Sequence, residues 1–160
     1  MTIVYRRSGA QDTPLVCEFW REHWGDDFVV AHGEIYRPED VDGFIAAEEG
    51  QWLGLVTYAI RGAGCEIVSI DSLREGRGIG SHLIDEVAAQ ARRAGCKRIF
   101  LTTTNDNLHA LGFYQKHGFV LAALRAGELD HSRQLKPSIP LIGMHGIPIR
   151  DEIELEMTLS

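Results

Sequence analysis

Residues 74–83, REGRGIGSHL, constrain the fold of this chain more than any other stretch. Gly76, Gly78 and Gly80 alternate between a strand-like run and an amphipathic helical pattern. Glycines at that spacing let the backbone turn sharply and bare a row of N–H groups. The helix that follows adds its unbonded first amides and the positive end of its dipole. The product is an anion cradle suited to a phosphate or pyrophosphate. A chain built around it is expected to hold a phosphate-bearing cofactor.

The flanking patterns say what the cradle is set into. Upstream, residues 43–70 (GFIAAEEGQWLGLVTYAIRGAGCEIVSI) read as three strands, broken at Glu49-Gly50 and at Arg61-Gly62-Ala63-Gly64. Both breaks are hairpin signals, so this part is an antiparallel meander. Downstream, Ile79, Leu83, Ile84, Val87, Ala88 and Ala91 mark one apolar helix face; Arg92 and Arg93 suit its C-terminal dipole, and Gly95 closes it. KRIFLTTT, residues 97–104, is the next strand. Strand 65–70, helix 79–94 and strand 98–103 therefore form a right-handed βαβ unit with parallel strands. Asn105 to Asn107 cap a further helix that stops at Gly118, and residues 119–125 form another strand. Ile153, Leu155, Met157 and Leu159 alternate with Glu152, Glu154, Glu156 and Thr158, which predicts a last strand within 150–159. Asp12-Thr13-Pro14 opens a first helix to about Trp24, after a polar start. Segments 25–42 and 126–148 read as irregular, the second as a long proline-rich loop of the kind that is usually functional. A length of 160 residues is expected to make one mixed α/β domain, with core motifs in 44–125.

Composition excludes several classes. The net charge of −7 argues against a nucleic-acid partner, which calls for a basic footprint. Cys17, Cys65 and Cys96 have neither disulfide-like nor metal-like spacing, and His109 and His117 lie too far apart to share a metal, so no metal is expected. No apolar run is long enough to span a membrane and no leader pattern follows Met1, so a cytoplasmic setting is expected. The loop lacks the Gly-Lys-Ser/Thr ending of a Walker motif. Ser81 and the preceding antiparallel strands disfavour a dinucleotide fingerprint. The pyrophosphate of an acyl-CoA is the third possibility.

The order of meander, EGRGIGSHL loop, helix, strand and then LHALGFYQKHGF (108–119) resembles the GNAT superfamily of N-acetyltransferases. That family's loop pattern, Gln/Arg-x-x-Gly-x-Gly/Ala, falls on Glu75 to Gly80, with Glu75 where Gln or Arg is usual; Arg77 is a substitute source of positive charge. The resemblance implies an acyl-CoA N-acyltransferase fold that passes the acetyl group of acetyl-CoA to a primary amine, by direct attack in a ternary complex. It implies a splay between strands 65–70 and 98–103, with backbone groups of Val68, Ser69 and Ile70 binding the pantetheine arm. Pyrophosphate would take amides of Gly76, Arg77, Gly78, Ile79, Gly80 and Ser81, and Asn107 would contact the cofactor.

By the same resemblance, Tyr114 would protonate the departing thiolate and Glu66 would receive the proton of the attacking amine, a task that an ordered water can also fill. The rival roles are structural: Phe113-Tyr114 as a core aromatic pair, Glu66 as a solvated strand residue, and Asn107 as a helix cap. His32, Glu34 and Tyr36 are placed on the acceptor side; Arg133, Lys136 and Arg150 are candidates for a substrate carboxylate. The acceptor would be a small molecule or a peptide amine. The alternatives are a non-catalytic acyl-CoA-binding regulatory module and an enzyme acetylating aminoacyl-tRNA, the latter opposed by the charge. A homodimer through the edge of the last strand is also open.

Overall fold

A computed structural model describes residues 2–160. Its centre is a seven-stranded mixed sheet ordered β1-β4-β5-β6-β7-β9-β8. The strands are β1 (Val4–Arg7), β4 (Asp42–Glu48), β5 (Gln51–Arg61), β6 (Gly64–Ser72), β7 (Arg98–Thr104), β8 (Val120–Arg125) and β9 (Glu152–Thr158). β4, β5 and β6 form the antiparallel meander, while β6 and β7 run parallel around helix α2 (Ile79–Arg93). Strand alternation distributes two cores over the faces of this sheet. Val56, Tyr58, Cys65, Ile67 and Leu101 pack against α2 and helix α3 (Leu108–His117). Ile45, Leu55 and Val68 pack against Val16, Phe19 and Trp20 of helix α1 (Thr13–Trp24).

Four segments depart from the sequence reading. The polar start contains β1, whose exposed residues hid its pairing with β4. Segment 25–42 holds a small hairpin, β2 (Val29–Ala31) with β3 (Glu34–Tyr36), turning on His32-Gly33, both at positive φ. Its arms are too short to show alternation, yet Val29 and Tyr36 are buried. The loop 126–148 contains helix α4 (Glu128–Leu135), in which only Leu129 and Ser132 are buried, so no apolar stripe announces it. Beyond α4, a strap closes on itself through an Ile142–Pro148 bridge.

The fourth correction concerns the last strand. β9 is no edge: it lies between β7 and β8, antiparallel to both. Its polar face is also not solvated. Arg125 bonds Glu152 and Glu154, Arg98 bonds Glu154 and Glu156, and Glu152 is buried. The sheet's edges are β1 and β8, and on β8 Val120, Leu121 and Leu124 are more than half exposed.

Candidate active site

The cradle is assembled at the junction of β6 and α2. Gly76 and Gly78 stand at φ +73° and +70°, and Gly78 caps α2 with no side-chain hydrogen bond to the cap among the described residues. A Cβ at either position would meet nothing within 4 Å among the described residues, so these glycines answer to backbone conformation and leave the amides open. Gly80 is there for close packing: a Cβ would lie 3.2 Å from the Phe113 ring of α3. The amides face a cavity of about 690 Å³ lined by Ile70, Gly76, Gly78, Ile79, Gly80, Ser81, Asn107 and Tyr114, with Arg74 and Phe113 joining them. Arg77 does not line it; its guanidinium sits 2.9 Å from Glu48. Arg74, just ahead of the loop pattern, does stand on the cavity wall, as does His109.

Next to this cavity the parallel strands part. Backbone pairing of β6 with β7 ends at Ile67 opposite Leu101, although both strands run on to Ser72 and Thr104. Val68 is an extra residue on β6, because Thr57 pairs with Ser69 while Tyr58 pairs with Ile67. Such a bulge bends its strand and shifts its side-chain phase by one. The Ser69 hydroxyl is engaged on the α1 side by Trp20 Nε1 at 3.0 Å and by Thr57 Oγ1 at 2.7 Å. A second cavity of about 270 Å³ occupies the splay, between Val68 to Asp71 and Leu101 to Thr103.

Tyr114, Asn107, Ile70 and Met144 line both cavities and so mark where they meet. Tyr114 is buried; desolvation first, and the nearby Asp71 charge second, hold its phenol well above the ordinary range, so it stays protonated. Asn107 caps α3 by accepting from the Ala110 amide at 3.2 Å. Met144 is brought in by the strap. Its amide bonds the buried Asp106 carboxylate at 2.9 Å, beneath Gly143, where a Cβ would run into that carboxylate and Ile149.

Glu66 is buried rather than solvated. It accepts from the Tyr36 hydroxyl, and its oxygens lie 2.8 and 3.0 Å from His32 Nε2, which raises the His32 pKa through that bond. Neither cavity is lined by Glu66, His32 or Tyr36. Of the residues expected on the acceptor side, His32 and Tyr36 are held against Glu66, while Glu34 is exposed with Arg61 3.9 Å away. Arg133 and Lys136 are likewise structural, donating to the carbonyls of Pro140 and Ile149, and of Trp24 and Phe28. Arg150 remains exposed. Cys65 and Cys96 are buried, and burial pushes the Cys65 thiol up to about 12, unsuited to nucleophilic attack.

The sequence reading missed three groups of the second cavity: His23 and Trp24 at the end of α1, and Asp71 on β6. Trp24 Nε1 donates to Asp71 at 2.7 Å. The helical spacing of Trp24 was legible, but its reach to Asp71 required the bulge.

Comparison with known proteins agrees with this geometry. Residues 13–119 match the acetyltransferase (GNAT) family. The chain therefore belongs to the GNAT acetyltransferases. It is 44% identical over 140 residues to Bacillus subtilis (strain 168) YdhI, an uncharacterized protein, covering 87% of this chain and 88% of that one. Among solved structures it resembles a GNAT family acetyltransferase from Elizabethkingia anophelis with acetyl-CoA bound, at a TM-score of 0.72 and 21% identity over 98% of each chain. It also resembles the ribosomal-protein-S18-alanine N-acetyltransferase from Escherichia coli, at a TM-score of 0.70 and 13% identity over 99% and 95% of the two chains.

Proposed function

We propose that this acetyltransferase binds acetyl-CoA across the two cavities and passes its acetyl group directly to a primary amine. One observation carries the reading: the loop residues Gly76, Gly78, Ile79, Gly80 and Ser81 and the edge of Val68–Ile70 left unpaired by β7 line two cavities that meet at Tyr114. The pyrophosphate takes the amides, which with the α2 dipole form a preorganised anion site. The pantetheine arm then runs along β6 as an added strand and brings the thioester into the splay, where one β6 N–H stabilises the developing oxyanion.

Tyr114 gives its proton to the departing sulfur. A protonated, desolvated phenol at the cavity junction suits that task, since the thiolate is a poor leaving group in a dry site. Glu66, the sequence candidate for the base, lies on the α1 face of β6 with its carboxylate bonded to His32 and Tyr36, and it lines neither cavity. Its proposed part is to hold those two side chains under the acceptor side.

The acetyl-CoA bound to the Elizabethkingia anophelis relative supports the choice of cofactor. Thiol release from acetyl-CoA, screened against polyamines, amino acids, aminoglycosides and peptide N-termini, tests the reaction. A non-catalytic acyl-CoA-binding module would show a rise in Tm with CoA and release no thiol with any of them. The open homodimer moves from β9 to β8, and light scattering of the wild type against Leu124→Lys tests it.

A further inference from the structure

We infer that Asp71 is the group that receives the proton of the acceptor, and that the acceptor is an amine arriving as an ammonium ion. This rests on the acetyl-transfer reading above and deepens it. A strand with unbroken alternation would put residues 66 and 71 on opposite faces. The extra residue at Val68 cancels one step, so Glu66 and Asp71 both face α1, one on each side of the splay. Only Asp71 lines the 270 Å³ cavity. One of its oxygens is held by Trp24 Nε1, and no other side-chain bond to the carboxylate is present among the described residues. Tyr114, the proposed acid, lines the same cavity, close enough for the Asp71 charge to raise its pKa.

The environment matches the task. Burial raises the Asp71 pKa, against the bond from Trp24 and the proximity of His23, which lower it. A carboxylate shifted upward takes a proton more readily than a solvated one while remaining able to release it. His23 from α1 and Tyr114 from α3 are the other titratable groups on this cavity's wall. The protons balance as follows. The ammonium gives one proton to the Asp71 carboxylate, which passes it to solvent. The freed nitrogen lone pair forms the C–N bond at the thioester carbonyl carbon. As the C–S bond breaks, the Tyr114 hydroxyl protonates the sulfur, and the second nitrogen proton returns to the Tyr114 oxygen. Ammonium and acetyl-CoA thus yield the amide, free CoA thiol and one proton.

The test is the pH dependence of kcat/KM with one acceptor taken from the thiol-release screen, so that the amine's own titration is common to every variant. Asp71→Asn should lower kcat/KM about 10²–10⁴-fold and abolish the acidic limb assigned to the carboxylate. Asp71→Glu should restore part of both. Trp24→Phe, which removes the donor that pulls the Asp71 pKa down, should move that limb to higher pH. An unchanged rise in Tm with CoA establishes that Asp71→Asn is folded and loaded. Retention of the acidic limb in Asp71→Asn overturns the assignment, as does its loss in Glu66→Gln instead. Failure of the parent reading looks different: wild-type protein that binds CoA and acetylates no amine refutes the transferase reading, and this assignment with it.

Discussion

Replacing Gly78 with alanine separates the two things that glycine does. At φ +70° an L-residue pays about 1–2 kcal/mol of backbone strain, and the added Cβ meets nothing within 4 Å, so no packing loss is superimposed. For a chain of this size that corresponds to a fall in Tm of about 2–8 °C. Gly62, in the β5–β6 hairpin, is a matched control: φ is +59°, no atom lies within 4 Å of its Cβ, and it lines neither cavity. Gly62→Ala should therefore lose about as much stability. Only Gly78→Ala places a methyl among the cradle amides. Loss of one charge-assisted hydrogen bond, worth about 1.5–3 kcal/mol, weakens CoA about 10- to 150-fold. In wild-type protein CoA at 100 times its Kd should stabilise the fold by about 2.7 kcal/mol, and this shift shrinks in Gly78→Ala alone. Calorimetric titration and thermal melts of the two variants read both effects. Equal CoA affinity in the two variants would refute the assignment of the cradle.

Further outcomes follow from the same geometry. Tyr114→Phe should lower kcat about 10²–10⁴-fold while leaving the Kd for CoA nearly unchanged by calorimetry, because only the transferable proton is removed; full turnover would exclude Tyr114 as the acid. His32 has a folded pKa raised by its bond to Glu66, so its stabilisation is fully present below its unfolded pKa of about 6.5 and is lost as pH rises through the higher folded value. Urea midpoints of His32→Gln and wild type should accordingly differ most at about pH 5.5–6.5 and converge in alkaline buffer, and a gap that widens with pH would contradict the bond.

How legible these features were depends on how local their signals are. The glycine triplet, the α2 face and the alternation of β9 are short-range patterns, and they were enough to order the meander and the βαβ unit. The β2–β3 hairpin and α4 were hidden because each buries only a few side chains, and β1 because its own are mostly exposed. Asp71 escaped for another reason: a single extra residue at Val68 rephases the strand, and nothing in EIVSID marks a bulge. Lys136 and Arg133 looked like ligand-binding charges because the carbonyls that hold them are contributed by backbone distant in sequence, or by a strap whose path only the fold defines.

The insertion of β9 between β7 and β8 has a bearing on biosynthesis. A nascent chain emerging from the ribosome presents β7 and β8 well before residues 152–158 exist to bridge them. Until then the Leu101 wall of the splay is paired on one side only, and its other edge offers unpaired amides and carbonyls to any passing strand. Chaperone capture of stalled chains that end short of residue 152, released once the missing segment is supplied, is the cellular behaviour this connectivity implies.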